Sequence, residues 1–310
     1  MNILITGSFG LLGSRITKFL KSQGHTILAA TANKNNKANK NFNVVYLDWS
    51  SEKSLDFACK NIDVVIHAAG MNAQECLTNF EKAYEFNTLN TIKLIISSKK
   101  NKVKKFIFLS TAHVYSENLS GIINEESIPL NNHPYSQFKI AAENYLMQYI
   151  NSSSFQFLSL RISNVVACPI YIETNCWSLL INNLCYQTAT KEYIEIFNKS
   201  DVKRDFIPII SFLDILNEIL KGKYSKLNGV LNVGSGNTFS LTQIVQIISE
   251  RYYLHYNKKL KIKFHFNKTK ENEILYFKSN RIDFNDHYNF NYLTREIDLL
   301  LKFCQLNFKK

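Results

Sequence analysis

The chain has 310 residues, of which 45% are hydrophobic and 20% charged, and carries a formal charge of +12. That length supports one large domain or two modest ones around a core that needs no staples. With no run of about 18 apolar residues, it excludes a membrane-spanning helix.

The six cysteines (Cys59, Cys76, Cys168, Cys176, Cys185, Cys304) lack a C-x-x-C pair or a histidine at ligand spacing. This argues against a disulfide frame and a metal site, and for reduced thiols. The opening MNILITGSFG reads as a strand entering a turn, not as a signal peptide, so a cytoplasmic protein is expected. The positive charge raises the question of nucleic acid. However, the lysines fall among asparagines (Lys34, Lys37, Lys40), near a helix end (Lys99 to Lys105) and in the C-terminal part (Lys258 to Lys270). No nucleic-acid module accompanies them, so solvated charge is expected and no nucleic acid as partner.

In chain order, Asn2 to Thr6, Thr26 to Ala30, Asn43 to Leu47, Asp63 to His67, Lys105 to Ser110 and Gln156 to Arg161 read as apolar strands. Between them Leu11 to Ser22, Glu75 to Ser98 and Pro134 to Ile150 carry helical spacing. Continuous apolar strands separated by helices predict a parallel sheet covered on both faces, a doubly wound α/β domain. After Val166 the pattern becomes mixed and aromatic: RDFIPI, a strand Gly229 to Val233, a helix Leu241 to Tyr252, a β-like piece near Lys261 to Phe266 and a helix near Thr294 to Phe303. The expected division is a domain over 1–165, joined again by 206–235, and a smaller interleaved α/β substrate lobe over 166–205 and 236–310.

The first strand runs into Gly7-Ser8-Phe9-Gly10-Leu11-Leu12-Gly13 and then a helix. Gly7 permits the tight turn, Gly10 lets the backbone approach a pyrophosphate, and Gly13 allows close helix–strand packing. Dinucleotide sites of this kind usually place an acidic residue about 20 residues on, at the end of the second strand, to hold the ribose 2′-hydroxyl. Here the second strand ends in Thr31-Ala32-Asn33-Lys34, and the first carboxylate in the chain is Asp48. NADP(H) is therefore favoured over NAD(H), with Asn33 and Lys34 as contacts; the alternative for Lys34 is a solvated loop lysine. Asp48-Trp49 are placed to meet the adenine. Ala68-Ala69-Gly70 offer small side chains where backbone passes the cofactor, and His67 fits a hydrogen-bonded strand-end histidine better than a catalyst.

Tyr135 and Lys139 form the only Y-x-x-x-K in the chain, on one face of a predicted helix that follows FIFLS and Ser110-Thr111-Ala112-His113-Val114-Tyr115. In family order, TGSFGLLG, LDW, HAAG, Asn87-Thr88, FLSTAHVY, Tyr135-x-x-x-Lys139, LRISNVVACP, RDFIPI and LNVGSG resemble the extended short-chain dehydrogenase/reductases, the NAD-dependent epimerase/dehydratase branch acting on nucleotide sugars. The resemblance covers about residues 1 to 240 and implies a Rossmann-type fold. It also implies roles. Lys139 would lower the Tyr135 pKa and hold the nicotinamide ribose, Tyr135 would move the proton, and Thr111 would hydrogen-bond the same sugar oxygen. Asn87 would steady backbone beside the cofactor, Arg204 would clamp the nucleotide diphosphate, and Asn164 would face the substrate.

Ser211 and Ala167 depart from the aspartate and glycine common in relatives. Trp177 and Cys185 fit core packing better than a sugar pocket. Ala112-His113 stand where dehydratases carry Asp-Glu, which disfavours dehydration. His113 occupies the position of an extra acid/base group in relatives that epimerise and reduce; the alternative is a histidine packed into the loop. The expected function is an NADP(H)-dependent nucleotide-sugar 4-keto-reductase, with possible epimerisation, supplying surface-polysaccharide precursors. A 4-epimerase with tightly bound NAD is the alternative, and a catalytically silent cofactor-binding regulator ranks below both. Relatives often pair through the helices over Glu75 to Ser98 and Pro134 to Ile150, so the family implies a homodimer.

Overall fold

The computed structural model describes all residues except 35–41, 198–200, 266–273, 285 and 310. Lys37, Lys40 and the far end of the Lys258 to Lys270 run, with Phe266, lie outside the described residues. By contact density the chain divides into two compact units. One comprises Met1–Glu117, Ser127–Ile162 and Asn217–Asn232; the other comprises Asn118–Glu126, Ser163–Leu216 and Val233–Lys310. Residues 118–126 and 163–165, within the stretch expected for the first domain, thus belong to the second unit, as do 206–216 and 233–235.

The elements in order are β1 (Asn2–Thr6), α1 (Leu11–Ser22), β2 (Thr26–Thr31), β3 (Asn43–Tyr46), α2 (Glu52–Cys59), β4 (Val64–His67), α3 (Ala73–Thr78), α4 (Phe80–Tyr84), a π-helical turn (Glu85–Leu89), α5 (Asn90–Lys100) and β5 (Lys105–Thr111). A 3₁₀ turn (Ala112–Val114), β6 (Gly121–Ile123), α6 (Pro134–Met147), β7 (Gln156–Ile162), β8 (Asn164–Val166), α7 (Leu180–Thr190), β9 (Tyr193–Ile196) and β10 (Lys203–Pro208) follow. The chain continues through α8 (Ile209–Leu220), β11 (Gly229–Val233), β12 (Thr238–Ser240), α9 (Leu241–Tyr256), β13 (Lys261–Phe264), β14 (Leu275–Phe277) and α10 (Phe290–Phe308).

The first unit is built on a seven-stranded sheet of order β11-β7-β5-β4-β1-β2-β3. The pairs from β7 to β3 are parallel, with Ile3 opposite Ile27 and Val64, and Val64 opposite Lys105. Ile3, Leu4 and Ile5 are all fully buried, as a strand covered on both faces requires. Leu4, Val65, Phe106 and Phe157 share one core with Leu55 and Ala58 of α2, Leu94 and Ile95 of α5, and Ala142 and Leu146 of α6. The doubly wound parallel architecture expected from the sequence is present.

Two local departures have physical causes. The predicted single helix over Glu75 to Ser98 is broken into α3, α4, the π turn and α5. Asn72 begins α3 with a capping box to Glu75, and Asn79 interrupts it with non-helical dihedrals. The segment 52–59, unassigned from the sequence, is α2, started by the Ser51 side chain accepting from the Ser54 amide.

In the second unit β10 does not join the large sheet. It lies between β12 (antiparallel) and β8 (parallel), while β13 pairs with β9 and β14 with β6. α7, α9 and α10 enclose a core of Ile181, Leu184, Ile244, Ile248, Leu293 and Leu300. Cys185 is fully buried in it, and Trp177 packs against it among Tyr186, Phe303 and Phe308. All six cysteines are buried thiols outside any disulfide.

Candidate active site

At the mouth of β1, Gly7 takes φ +67°, and a Cβ there would lie 2.8 Å from the Ala69 amide nitrogen. The turn and the Ala68-Ala69-Gly70 loop are therefore in backbone contact, which only glycine allows. A Cβ on Gly13 would overlap the Gly7 carbonyl, so α1 sits directly on the turn. Gly10 caps α1 with no side-chain bond, and no acidic residue occupies the first turn. This is the helix start that suits an anion. Ser8 instead turns inward, its hydroxyl donating to the Ile5 carbonyl at 2.6 Å.

A cavity of about 240 Å³ opens here, lined by Thr6, Gly7, Phe9, Gly10, Ala30, Thr31, Ala32, Leu47, Trp49, Ala68, Ala69, Gly70 and Phe86. It gathers Gly7, Phe9, Gly10, Trp49, Ala68, Ala69 and Gly70 from the expected cofactor set. Leu11, Leu12 and Gly13 form the first turn of α1 beside it. A glycine-rich turn, an uncapped helix start and an apolar aromatic slot together fit a dinucleotide. Phe86 was not anticipated. It lies in the π turn and meets Trp49 edge-on at 5.5 Å between centroids.

Beyond β2, the Asn33 amide donates to Thr31 Oγ1 at 3.1 Å, and Lys34 Nζ lies 5.4 Å above the Tyr46 ring. Asp48 is turned to its own loop: its Oδ1 accepts from the Ser50 amide (3.0 Å) and hydroxyl (2.6 Å). These bonds, with Lys34 nearby, hold its carboxyl below the usual range.

Asn87, also in the π turn, clamps Met71, accepting from its amide at 2.8 Å and donating to its carbonyl at 3.1 Å. A Cβ on Gly70 would lie 3.2 Å from Asn87 Oδ1 and 3.4 Å from Lys139 Nζ, so these three residues converge. Lys139, 5% exposed, donates to the Leu109 carbonyl at 3.1 Å and lies 4.7 Å above Phe108 and 5.8 Å above Tyr135. Burial lowers its pKa to about 8 and raises that of Tyr135 to about 12. Desolvation is the largest cause of both shifts.

Thr111 ends β5, its Oγ1 accepting from the His113 amide at 3.1 Å. The hydroxyl thus keeps its own proton to donate. The His113 carbonyl accepts from Asn131 Nδ2 (2.6 Å) and from Ser136 Oγ (3.0 Å), which ties the Thr111 turn to the start of the helix bearing Tyr135.

Asn164 and Arg204 lie in the second unit, on β8 and β10. Asn164 Nδ2 donates to the Asp205 carbonyl at 2.9 Å. Arg204 is half-buried, and burial lowers its pKa. Among the described residues no carboxylate lies within ion-pair distance of it. The neighbouring Asp205 is fully buried and was not anticipated. It accepts from Ser163 Oγ at 2.5 Å and from the Ser235 amide and hydroxyl at 2.9 and 3.0 Å.

A doubly wound parallel sheet with a glycine-rich first turn and a Tyr-x-x-x-Lys helix defines the dinucleotide-dependent oxidoreductase class. The model of the NAD dependent epimerase/dehydratase family matches residues 3–234, and the chain belongs to that family. It is an enzyme of the short-chain dehydrogenase/reductase type using a nicotinamide cofactor. The chain is 26% identical over 266 residues to a UDP-glucose 4-epimerase of Halalkalibacterium halodurans, covering 80% of this chain and 79% of that one. To the UDP-glucose 4-epimerase of Dictyostelium discoideum it is 29% identical over 277 residues, covering 80% of each. A solved UDP-N-acetylglucosamine 4-epimerase from Methanobrevibacter ruminantium superposes with TM-score 0.80 at 21% identity over 97% of both chains.

Proposed function

We propose that this enzyme reduces a nucleotide-linked 4-keto hexose with NADPH, in the supply of surface-polysaccharide precursors in the cytoplasm. The observation that carries the cofactor choice is the end of β2. Thr31 and Ala32 line the cavity, Asn33 and Lys34 follow, and the first carboxylate, Asp48, is bonded to Ser50. Nothing there opposes a 2′-phosphate, and Lys34 would complement it.

A bound nicotinamide would supply the hydride. Thr111 would donate to the sugar oxygen, Tyr135 would give that oxygen its proton, and Lys139 would oppose the burial that holds the phenol at high pKa. Arg204, a half-buried cation with no carboxylate at ion-pair distance among the described residues, would suit the diphosphate, and Asn164 a sugar hydroxyl. His113 would serve as an additional acid/base group.

The test is titration of purified protein with NADPH and NADH after assaying for retained nucleotide. Preference for NADPH of about tenfold or more, lost in Lys34→Ala, supports this reading. Tightly retained NAD overturns it in favour of 4-epimerisation, the second reading, which similarity to the two UDP-glucose 4-epimerases supports. Leu77, Phe80, Tyr84 and Ile96 on α3 to α5 and Met147 on α6 are exposed. We propose that these faces form a homodimer, to be checked by sedimentation.

A further inference from the structure

The helix that carries Tyr135 and Lys139 also carries a buried charge. Glu143 lies one helical turn beyond Lys139 on α6, its side chain 2% exposed. Arg161 of β7, 8% exposed, grips it: Nε lies 3.1 Å from Oε2 and 3.3 Å from Oε1, and the NH2 nitrogen 2.6 Å from Oε2. Ser159, two residues earlier on the same strand face, donates to Oε1 at 3.0 Å. The guanidinium carbon also lies 4.9 Å above the Tyr115 ring, and the Tyr115 hydroxyl donates to Asn232 at 2.7 Å. Tyr115 immediately follows the Thr111–Val114 turn, its amide bonded to the Ala112 carbonyl at 3.1 Å. One network thus joins the Lys139 helix, the Thr111 turn and strands β7 and β11.

A buried ion pair adds little net stability over well-packed apolar residues, so its presence here calls for another reason. We infer that Glu143 and Arg161 are positioning residues: the pair fixes the α6 face bearing Lys139 against β7 and the Thr111 turn, and its carboxylate holds Lys139 in the charged form. This rests on the role proposed above for Lys139. The titratable groups facing Lys139 are Cys76 on α3, His67 on β4, and Tyr135 and Glu143 on α6. Cys76 and Tyr135 are held protonated by burial and His67 is neutral, so Glu143 is the full negative charge among them.

The experiment follows the ¹³Cε shift of Lys139 against pH in lysine-labelled full-length protein, with the resonance assigned by its loss in Lys139→Met. Glu143→Gln, which leaves Arg161 unopposed, should lower the Lys139 midpoint by about one pH unit or more. Arg161→Met, which leaves Glu143 unopposed, should raise it. A pair serving only structure would destabilise both variants without moving the midpoint in opposite directions, and that result overturns the proposal.

Should a single variant fail to fold, Glu143→Gln/Arg161→Met leaves no uncompensated charge. It should fold and lower the midpoint, and an unchanged midpoint there overturns the proposal equally. NADPH titration of wild type against pH distinguishes the other failure. If binding is indifferent to the protonation that NMR reports for Lys139, the reading of Lys139 as a cofactor contact falls, even where the charge coupling stands.

Discussion

Thr6 Oγ1 lies 2.7 Å from Nδ1 of His67, and that contact completes a chain of bonds that fixes which ring nitrogen carries the proton. Thr91 Oγ1 donates to the Asn87 carbonyl at 2.8 Å, so toward His67 Nε2, 2.9 Å away, it can only accept. The proton is on Nε2, Nδ1 accepts the Thr6 hydroxyl, and Thr6 oxygen accepts the Ala69 amide at 3.2 Å. A buried neutral imidazole thus ties β1, β4 and α5 to the loop beside the cavity at the Gly7 turn, as expected of a hydrogen-bonded strand-end histidine.

Burial lowers the His67 pKa from 6.5 to about 3. The unfolded chain takes up this proton near pH 6.5 and the folded one does not, so the contribution is complete above 6.5 and is lost as pH falls toward 3. The slope is about 1.4 kcal/mol per pH unit. His67→Gln, which preserves one donor and one acceptor without titrating, should flatten the acid limb of stability in urea unfolding between pH 4.5 and 7.

Asp205 acts in the opposite sense. Burial raises its pKa from 3.8 to about 6 against the lowering effect of the Ser163 and Ser235 hydroxyls and the Ser235 and Gly236 amides. The folded chain therefore holds the proton more tightly, and this contribution is present below 3.8 and lost as pH rises through 6. Relative to Asp205→Asn, the wild type should lose about 3 kcal/mol of stability across that window. Paired denaturation curves at pH 4 and 6.5 measure it.

Lys139 is kept at a cost. Burial lowers its pKa from 10.5 to about 8, so at pH 7 the folded chain carries a desolvated charge that the unfolded chain does not. Lys139→Met should raise stability at pH 7 by about 1 kcal/mol after loss of the bond to Leu109. The gain should vanish above pH 10.5, and turnover should be abolished. Calorimetry at pH 7 and an activity assay on the same preparation test both halves.

The glycines separate folding from binding. A Cβ on Gly10 meets only the Gly7 carbonyl oxygen, at 3.3 Å, and the backbone there is extended. Gly10→Ala should fold with a loss of about 1 kcal/mol yet bind NADPH at least tenfold more weakly. Gly13→Ala, with its Cβ 2.6 Å from the Gly7 carbonyl carbon, should lose about 3 kcal/mol and yield little soluble protein. Urea unfolding and fluorescence titration resolve the two effects.

The order of β1 to β5, the turn at Gly7 and the Tyr135–Lys139 face were legible because each is a local pattern: an apolar run, a glycine spacing, a helical repeat. The π turn was not, since nothing in the run from Glu85 to Leu89 marks it off from the helical spacing around it. Nor was the place of β10, because an apolar strand does not announce its neighbours. Lys105, read as part of a solvated run, is half-buried, and burial lowers its pKa. Glu143 and Arg161 look in sequence like ordinary surface charges. Their partnership spans 18 residues and exists only once α6 lies on β7.

The sheet order carries a consequence for synthesis. Its edge strand β11 ends at Val233, long after β7 has ended at Ile162, and 163–216 intervene within the other unit. A ribosome delivers six strands and then waits, with the backbone of β7 unpaired on one side and open to strand addition from another chain. Fragments stopping near 165 should aggregate for that reason. Slower translation over 163–233 would prolong the exposure, which makes this interval the stretch where chaperone capture of the nascent chain is most needed.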